Sequence, residues 1–478
     1  MQKPKTVKEL RESGYKVVSV KDEMRSNLIV KLRQHTPLFP GIVGYDDTVL
    51  PQIENAILSR HDILLLGLRG QAKTRILRSL IHLLDEEIPV IKGCEINDNP
   101  FHPVCKACQE RVNEHGEYTE IAWLLREERY REKLATPDVT VADLIGEIDL
   151  VKVAEGKYLS NESTMHFGLI PRTNRGILAI NELPDLSQKI QVSLFNVLEE
   201  RDIQIRGYPV RLSLDVMIVC SANPEDYTNR GRIVTPLKDR IGSVVTTHYP
   251  LTREDGIMII EQNAWIDRQD GIKVTVPKYI KEITEEISHI ARASQEINQS
   301  SGVSARMSIC NYETLISNSE RRAIQMGETC AVPRISDLRH IFTSSRGKIE
   351  FDPTIEENQD EEVLRTISRE AVKKVFNQYL NVDEYQEEIK MLNNKTFLVS
   401  DEMPSDPYVK IMSEDKEVSK MVDALQNKMN DIPVEKEIMP PMYASLIEFL
   451  LEGLHANRKL NKDICANKTV YTRKRIEI

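Results

Sequence analysis

The stretch DILLLGLRGQAKTRI, residues 62 to 76, contains most of a phosphate-binding loop. Residues 63 to 66 are an apolar run typical of a buried strand, and apolar residues at helical spacing begin at Ile76. The eight residues between them follow the pattern of Gly, four residues, Gly, Lys and Ser/Thr, except that Ala72 replaces the second glycine. The stretch therefore predicts either a nucleotide site or a strand, turn and helix that resemble one.

A phosphate loop binds its anion because backbone N–H groups and a helix N-terminus converge on it. Lys73 would add a charge on the β/γ phosphates of ATP, and Thr74 would be a ligand of Mg²⁺. Ala72 adds only a methyl group, so we expect the loop to survive if the φ angle of Ala72 is negative. The predicted cofactor-binding residues are Gly67, Gly70, Gln71, Ala72, Lys73 and Thr74.

Composition excludes several classes of protein. The chain has 478 residues, 40% hydrophobic and 29% charged, which suits a soluble protein of about three domains. Its formal net charge of −10 argues against binding to nucleic acid or to an anionic membrane. No apolar stretch approaches the roughly eighteen residues of a membrane span, and the N-terminus lacks the apolar core of a signal peptide. We expect a cytoplasmic protein whose seven cysteines are thiols or metal ligands.

The pattern along the chain predicts four parts. Residues 1 to 36 are a charged N-terminal lead-in. Between 37 and 250, short apolar runs alternate with helical patterns, which predicts an α/β domain with a parallel sheet and helices on both faces. Residues 251 to 345 predict a smaller helical lid domain, and 346 to 478 a charged helical C-terminal extension. Sparse apolar positions predict mobile linkers around 395 to 440.

A second predicted strand ends in a pair of polar residues. The stretch RGILAINELPDL, residues 175 to 186, is an apolar run that ends in Asn181 and Glu182. A nucleotide hydrolase needs an acidic pair at this point, because the first residue holds Mg²⁺ through water and the second activates the attacking water. We therefore predict Asn181 as a residue of the Mg²⁺ site and Glu182 as the catalytic base.

Two further stretches complete the series. DVMIVCSANPED, residues 215 to 226, predicts a strand that ends at Asn223, an amide suited to orienting the attacking water. TPLKDRIGSVV, residues 235 to 245, has Arg240 beside another strand. A strand that ends in a polar residue is common by itself. Several in this order, each with a residue of the required type, favour a nucleotide-hydrolysing site.

Six stretches between residues 37 and 345 together resemble AAA+ ATPases of the helix-2-insert group. Within that group the sequence is similar to the magnesium chelatase ATPase subunit and to MoxR-type ATPases. The resemblance implies hydrolysis of ATP with Mg²⁺, a homo-oligomeric ring that is usually a hexamer, and a partner protein with a von Willebrand A domain. The stretches are GLRGQAKT, GLIPRTNRGILAINELPDL, VLEERDIQIRG, SANPED, RGRIVTPLKDRIG and SGVSARMSI.

The resemblance also implies roles for single residues. Lys73 and Thr74 match the Walker A motif, Asn181 and Glu182 stand at the Walker B positions, and Asn223 matches sensor 1. Arg240 matches the arginine finger that reaches into a neighbouring subunit, with Arg230 or Arg232 as alternatives, and Arg306 matches the sensor 2 arginine of the lid. The predicted catalytic residues are Glu182, Asn223, Arg240 and Arg306.

The departures from the family pattern leave several functions open. Asn181 replaces the Walker B aspartate, and a neutral amide holds Mg²⁺ less tightly than a carboxylate does. The chain is then an active, slow ATPase that remodels or activates a partner protein, or a nucleotide-gated scaffold with little turnover. A third alternative is the magnesium chelatase motor subunit, which drives metal insertion into a porphyrin. A DNA-dependent regulator lacks support, because the sequence has no visible basic reading element.

Two other features are candidates for function. GEIDLVKVAEGKYLSNESTMHFGLI, residues 146 to 170, predicts a hairpin insert that faces a partner or the ring's centre, or an ordinary surface hairpin. A Cys-x2-Cys pair with a nearby His and Cys can complete a tetrahedral zinc site, and reduced thiols without metal are the alternative. The predicted zinc ligands are Cys94, His102, Cys105 and Cys108, and the predicted core cysteines are Cys220, Cys310, Cys330 and Cys465.

Overall fold

The computed structural model divides the chain into two compact units, residues 1–248 and 249–478. The predicted end of the α/β domain at 250 lies close to this division, and the predicted boundary at 345 falls inside the second unit. The described residues are 3–148, 165–204, 211–224, 232–268, 272–354, 359–429, 435–465 and 468–473.

The first unit is built around a parallel sheet. Its strands are β1 (Ile63–Leu66), β2 (Glu87–Ile91), β3 (Ile121–Leu125), β4 (Tyr130–Leu134), β5 (Gly146–Ile148), β6 (Met165–Phe167), β7 (Gly176–Asn181), β8 (Asp202–Gln204), β9 (Arg211–Ser213), β10 (Val216–Ala222) and β11 (Ser243–Thr246). Five of them form one sheet in the order β11, β1, β10, β7, β4. All neighbours in this sheet run parallel.

The sheet is covered on both faces, which explains the unbroken apolar runs in its central strands. Every residue of β7 and β10 is buried. Along β1, Leu64 packs into one apolar core, whereas Ile63 and Leu65 pack into another on the opposite face. The predicted α/β fold is therefore confirmed. The helices of this unit are Val7–Glu12, Val20–Arg33, Val49–Leu58, Lys73–Ser79, Lys106–His115, Val141–Leu144, Leu169–Arg172, Gln188–Glu199 and Thr235–Arg240.

Part of the predicted lead-in belongs to this core. The helix Val20–Arg33 buries Val20, Met24 and Leu28, which recur every four residues and so lie along one face. Outside the main sheet, β2 pairs with β3, β5 with β6, and β8 with β9, all antiparallel. The β5–β6 pair forms the base of the predicted hairpin insert, and its predicted turn lies outside the described residues.

The second unit is mainly helical and adds a small sheet. Three strands, β14 (Thr396–Val399), β15 (Asn461–Cys465) and β16 (Lys468–Thr472), form an antiparallel sheet in the order β14, β16, β15. The two-residue strands β12 (Lys273–Val274) and β13 (Cys330–Ala331) also pair. The helices of the second unit are Arg253–Asn263, Lys278–Ala293, Ala305–Met326, Ile341–Ser345, Asp360–Tyr379, Gln386–Met391, Asp406–Glu414, Lys416–Met429 and Met439–Ala456.

Helices before and after residue 346 share one core. The ring of Phe449 stacks on Tyr279 with centroids 4.0 Å apart and meets Phe376 edge-on at 5.4 Å. The prediction of mobile linkers is wrong over residues 396–429, which contain β14 and two helices. The helix Lys416–Met429 buries Val418, Met421, Val422 and Leu425 at helical spacing, a pattern that its many charged residues obscure in the sequence.

None of the helices among the described residues combines the length and the apolar character needed to cross a membrane. Of the four cysteines predicted to be core residues, Cys220 and Cys330 are buried and Cys310 is half-buried. Cys465 ends β15, and its side chain lies outside the described part of the chain.

A buried ion pair ties the helix Val20–Arg33 to the sheet and gives a stability prediction. Arg129 donates two hydrogen bonds to Glu23, of 2.7 and 2.6 Å, and the two side chains are only 1% and 5% exposed. Glu23→Ala would leave the Arg129 charge buried and unpaired, so we expect the free energy of unfolding to fall by about 3–5 kcal/mol in urea titrations.

The matched control is Glu120→Ala, which breaks the exposed pair with Lys92, where both side chains are more than 60% exposed. We expect no measurable shift of the urea midpoint from this change, because exposed pairs are screened by water. Equal effects of the two substitutions would contradict a structural role for the Glu23–Arg129 pair.

Candidate nucleotide-binding site

The phosphate loop connects β1 to the helix Lys73–Ser79 at the carboxyl edge of the sheet. Leu66 at the end of β1 lies opposite Ala222 at the end of β10 and opposite Thr246 at the end of β11. The N–H of Gly67 donates a 3.1 Å hydrogen bond to the Ala222 carbonyl. The loop therefore begins beside the residues that follow β10, which include Asn223.

Gly67 has no room for a side chain. A Cβ atom there would lie 1.9 Å from Thr247 Oγ1 and 2.3 Å from Gln71 Oε1. These two groups are joined by a 2.7 Å hydrogen bond that Thr247 donates. The Tyr45 hydroxyl donates to the Gln71 carbonyl at 3.1 Å. Gln71 thus fixes the loop to the residues around it through both its side chain and its backbone.

Ala72 adopts a left-handed conformation, so the negative φ that we set as the condition for the loop to survive is not met. Its φ is 57° and its ψ is 14°, and the residue directly precedes the helix that begins at Lys73. Its carbonyl accepts a 3.0 Å hydrogen bond from the Ile76 N–H, which starts the helical ladder. A left-handed alanine costs about 1–2 kcal/mol because its Cβ approaches the following carbonyl. The loop keeps its turn despite the alanine, at this cost in backbone strain.

The Lys73 side chain lies inside the loop. Lys73 is 7% exposed. Its Nζ donates hydrogen bonds to the Gly67 carbonyl and, at 3.0 Å, to the Leu68 carbonyl. Nζ also donates a 2.6 Å hydrogen bond to Asn223 Oδ1. The ammonium is therefore surrounded by oxygen acceptors, the type of group that a nucleotide phosphate also presents.

Asn223 links Lys73 to Glu182. The Asn223 amide nitrogen donates to Glu182 Oε2 at 2.8 Å, while its Oδ1 accepts from Lys73. Glu182 is left-handed, with φ 56° and ψ 49°, and its N–H donates to Ser221 Oγ at 3.3 Å. Three of the predicted site residues thus form one hydrogen-bonded chain, Lys73–Asn223–Glu182. Their catalytic roles stay predictions.

Asn181 contacts a carboxylate that the sequence analysis missed. Its amide nitrogen donates to Glu132 Oε1 at 2.7 Å, and its Oδ1 accepts from Ser221 Oγ at 3.2 Å. Glu132 lies on β4, and both of its oxygens accept from Arg78, at 2.7 and 2.9 Å. No motif marks Glu132, because it reaches Asn181 only through the pairing of β4 with β7, which sets Leu134 opposite Asn181.

Comparison with known proteins gives one matching family model and several relatives among magnesium-chelatase subunits. A family model described as the Sigma-54 interaction domain matches residues 137–245. The chloroplastic magnesium-chelatase subunit ChlI-2 of Arabidopsis thaliana is 28% identical over 244 residues, 48% of this chain and 54% of that protein. The magnesium-chelatase subunit ChlI of Nephroselmis olivacea is 24% identical over 372 residues, 71% of this chain and 97% of that protein. The chain is thus similar to magnesium-chelatase ChlI subunits, in agreement with its resemblance to AAA+ ATPases.

A third relative and a solved structure agree in kind. A ChlI homolog from Methanocaldococcus jannaschii is 26% identical over 241 residues, 48% of this chain and 60% of that protein. The chain thus spans between about half and nearly all of the length of these curated relatives. Among solved structures, the alignment with a chain from the complex between BchI and BchD of magnesium chelatase, based on a cryo-EM reconstruction, covers 68% of this chain and 98% of that one, with 20% identity and a TM-score of 0.35.

The other predicted site residues that the structure describes lie on or beside helices. Thr74 is half-buried at the second position of the helix Lys73–Ser79. Arg240 ends the helix Thr235–Arg240, where it donates a 2.6 Å hydrogen bond to Glu199 and stacks over the Phe195 ring at 4.9 Å. In the single chain, the Arg240 side chain therefore packs on the surface of its own subunit. Its role as an arginine finger stays a prediction.

Arg306 is exposed in the first turn of the helix Ala305–Met326, in the second unit. Of the alternative finger residues, Arg232 is exposed, and its carbonyl accepts a 3.2 Å hydrogen bond from Gln191, whereas Arg230 lies outside the described residues. The sensor 2 role of Arg306 stays a prediction.

The three cysteines predicted as zinc ligands lie close together, but His102 does not lie with them. The side chains of Cys94, Cys105 and Cys108 form one group with Asp98, whereas His102 is exposed. Hydrogen bonds with the Cys105 and Cys108 thiols lower the pKa of the Cys94 thiol, whereas hydrogen bonds with the Cys108 and Cys94 thiols raise the pKa of Cys105. Burial raises the pKa of Asp98. The predicted ligand His102 is therefore wrong for this group, and Asp98, four residues after Cys94, lies near the thiols.

The left-handed Ala72 gives a prediction for the loop. Glycine tolerates a positive φ, so Ala72→Gly should raise the free energy of unfolding by about 1 kcal/mol in urea titrations, after the entropy of the added glycine is counted. The control is Ala56→Gly in the helix Val49–Leu58, where the same change should lower stability by about 1 kcal/mol or more. If both changes destabilise the protein equally, Ala72 is not left-handed in solution.

Proposed function

We propose that this protein binds and hydrolyses ATP at the loop of residues 67–74 and uses the hydrolysis to remodel or activate a partner protein. The observation that carries the proposal is the hydrogen-bonded chain Lys73–Asn223–Glu182 at the carboxyl edge of the sheet. It joins an ammonium that can bind phosphate, an amide that can orient a water molecule and a carboxylate that can accept a proton. These are the groups that phosphoryl transfer to water requires.

The chain of hydrogen bonds suggests how phosphate binding prepares the reaction. Phosphate oxygens compete for the Lys73 ammonium and draw it away from Asn223 Oδ1. That amide oxygen then takes a hydrogen bond from the attacking water, while the amide nitrogen keeps the Glu182 carboxylate in position. Glu182 accepts the proton of the water as the oxygen attacks the γ-phosphorus, and ADP is the leaving group.

Thr74, Asn181 and Glu132 would hold Mg²⁺, directly or through water. When bound, the ion neutralises charge on the β- and γ-phosphate oxygens. The hydrogen bond from Asn181 Nδ2 to Glu132 orients the amide so that Oδ1 points away from that carboxylate and towards Ser221. Asn181 Oδ1 can then accept from a metal-bound water, and Glu132 contributes the negative charge that residue 181 lacks.

The partner and the assembly extend the proposal further. We propose that the protein is cytoplasmic and forms a homo-oligomeric ring of six subunits. The ring would act on a protein with a von Willebrand A domain, as the family resemblance implies. Arg240 would leave Glu199 of its own subunit and reach the γ-phosphate of a neighbour. The second candidate function is that of a magnesium chelatase motor, favoured by the alignment with Nephroselmis olivacea ChlI over 97% of that protein.

Subunit mixing tests the proposal. Arg240→Ala and Glu182→Gln should each lower phosphate release by about a thousandfold or more, since each removes a group that acts on the transition state. Mixed under conditions where subunits exchange, the two variants should recover part of the activity, because some interfaces then pair an intact Glu182 with an intact Arg240.

Arg232→Ala is the matched control and should stay active. If Arg232→Ala is inactive and complements Glu182→Gln while Arg240→Ala does not, the finger assignment is wrong. If no mixture recovers activity, the shared site and the ring mechanism fail. ATP binding without phosphate release in the unmodified protein would favour the nucleotide-gated scaffold.

A second prediction concerns the charge near the metal. Glu132→Gln should raise several-fold the Mg²⁺ concentration that gives half-maximal phosphate release, because it removes the carboxylate beside Asn181. The double change Asn181→Asp, Glu132→Gln restores one carboxylate and should bring the Mg²⁺ requirement back towards the unmodified value. Glu127→Gln, at an exposed position in the 3-10 turn Arg126–Arg129 just before β4, should leave the Mg²⁺ requirement unchanged. A Mg²⁺ titration that Glu132→Gln does not move would remove Glu132 from the proposal.

A further inference from the structure

Four side chains between β2 and β3 converge outside the nucleotide site. They are Cys94, Asp98, Cys105 and Cys108, and their ligand atoms all lie within 4.8 Å of one another. Cys94 follows β2, and Cys105 caps the helix Lys106–His115. All but Cys94 are buried, and Cys94 is half-buried. The group is therefore a compact, largely enclosed set of three sulfurs and one carboxylate.

The spacing of the sulfurs fits one shared ion. Cys94 Sγ and Cys105 Sγ are 3.9 Å apart. Sulfurs that bind the same tetrahedral zinc ion at about 2.3 Å lie about 3.8 Å from each other, whereas sulfurs in a disulfide are only about 2.05 Å apart. The pair is thus too distant for a covalent bond and at the separation that a common metal requires.

The Asp98 carboxylate points most directly to a bound ligand. Asp98 is 0% exposed, and its Oδ2 accepts hydrogen bonds from the N–H groups of Val104 and Cys105, at 3.1 and 2.9 Å. Its Oδ1 is also buried and has no hydrogen-bond partner in the part of the chain that the structure describes. An orphaned buried carboxylate oxygen costs free energy that a bound cation offsets.

Backbone N–H groups contact two of the three sulfurs. The N–H of Asp98 donates to Cys94 Sγ at 3.4 Å, and the N–H of Cys108 donates to Cys105 Sγ at the same distance. Cys105 and Cys108 also lie at the N-terminus of a ten-residue helix, where the helix dipole favours negative charge. Cys94 and Cys105 thus accept hydrogen bonds from backbone N–H groups, and Cys105 and Cys108 lie at a helix end that favours negative charge.

We propose that Cys94, Asp98, Cys105 and Cys108 bind one zinc ion, with Asp98 Oδ1 as the fourth ligand in place of His102. Thiolates select zinc over Mg²⁺ and Ca²⁺, which prefer oxygen ligands. Four protein ligands close the coordination shell, so the ion is structural and does not activate water. The site takes no part in ATP hydrolysis.

The ion stabilises the segment that leads into β7. Asn97, within the metal loop, donates from its amide to the Arg172 carbonyl at 3.1 Å, and Asn174 donates back to the Ile96 carbonyl at 3.0 Å. These bonds connect the loop to the residues immediately before β7, at whose far end Asn181 and Glu182 lie. Loss of the ion should therefore destabilise the first unit without removing any group from the nucleotide site.

Metal analysis of the full chain purified without chelator tests the proposal. We expect one zinc per chain, and replacement by Co²⁺ should give intense thiolate-to-cobalt absorption together with the visible bands of a tetrahedral ion. Asp98→Asn should weaken zinc binding about tenfold or more in competition with a chelating dye, and Cys105→Ser should do the same. His102→Ala is the matched control and should keep both the zinc and the cobalt spectrum.

Three outcomes would overturn the assignment. The first is that the unmodified protein contains no zinc, gives no cobalt spectrum and melts at the same temperature with and without chelator. The second is that His102→Ala loses the metal while Asp98→Asn keeps it, which would restore the ligand set expected from the sequence. The third is that the protein contains iron in place of zinc. The first and third results need no variant, so a failure of Asp98→Asn to fold does not leave the proposal untested.

Discussion

The pairing of β10 with both β1 and β7 is the constraint on which the candidate site depends. Its register sets Leu66 opposite Ala222 and Cys220 opposite Ile180, so the residues that follow the three strands emerge at one edge of the sheet. Lys73, Asn223 and Glu182 are far apart in sequence and meet only because of this register. The register is held in turn by apolar cores on both faces of the sheet, since a shift by one residue would exchange the two faces.

The site also concentrates backbone strain. Ala72 and Glu182 are both left-handed residues other than glycine, one at the start of the loop helix and the other just after β7. Each such residue costs on the order of 1–3 kcal/mol and persists only where its surroundings determine it. The Thr247–Gln71 hydrogen bond and the Ser221–Glu182 hydrogen bond are such surroundings. Strain at these two points aims the Lys73 helix and the Glu182 side chain towards the same space.

The sequence predicts those parts of the fold that local pattern determines. Buried runs predict β1, β7 and β10, because a strand covered on both faces is apolar throughout. β4, with the sequence YREKL, escapes this reasoning because it is an edge strand that tolerates charge. Residue spacing likewise suggests a histidine beside the cysteines, whereas the fold of the loop, with Asn97 at a φ of 55°, decides that Asp98 lies there instead.

Asn181 illustrates why a single substituted motif residue does not determine function. From the sequence, loss of the Walker B charge favours a protein that binds nucleotide without turning it over. In the folded chain a carboxylate lies 2.7 Å from that asparagine, on the neighbouring strand, and the asparagine amide is oriented by it. The charge that matters to a divalent ion is the sum over a few ångströms and not the charge of one residue. In our proposal Glu132 on β4 supplies the negative charge that Asn181 lacks. Arg78 pairs with that carboxylate, so turnover depends on how far the Arg78 guanidinium moves away from Glu132 when the ion binds.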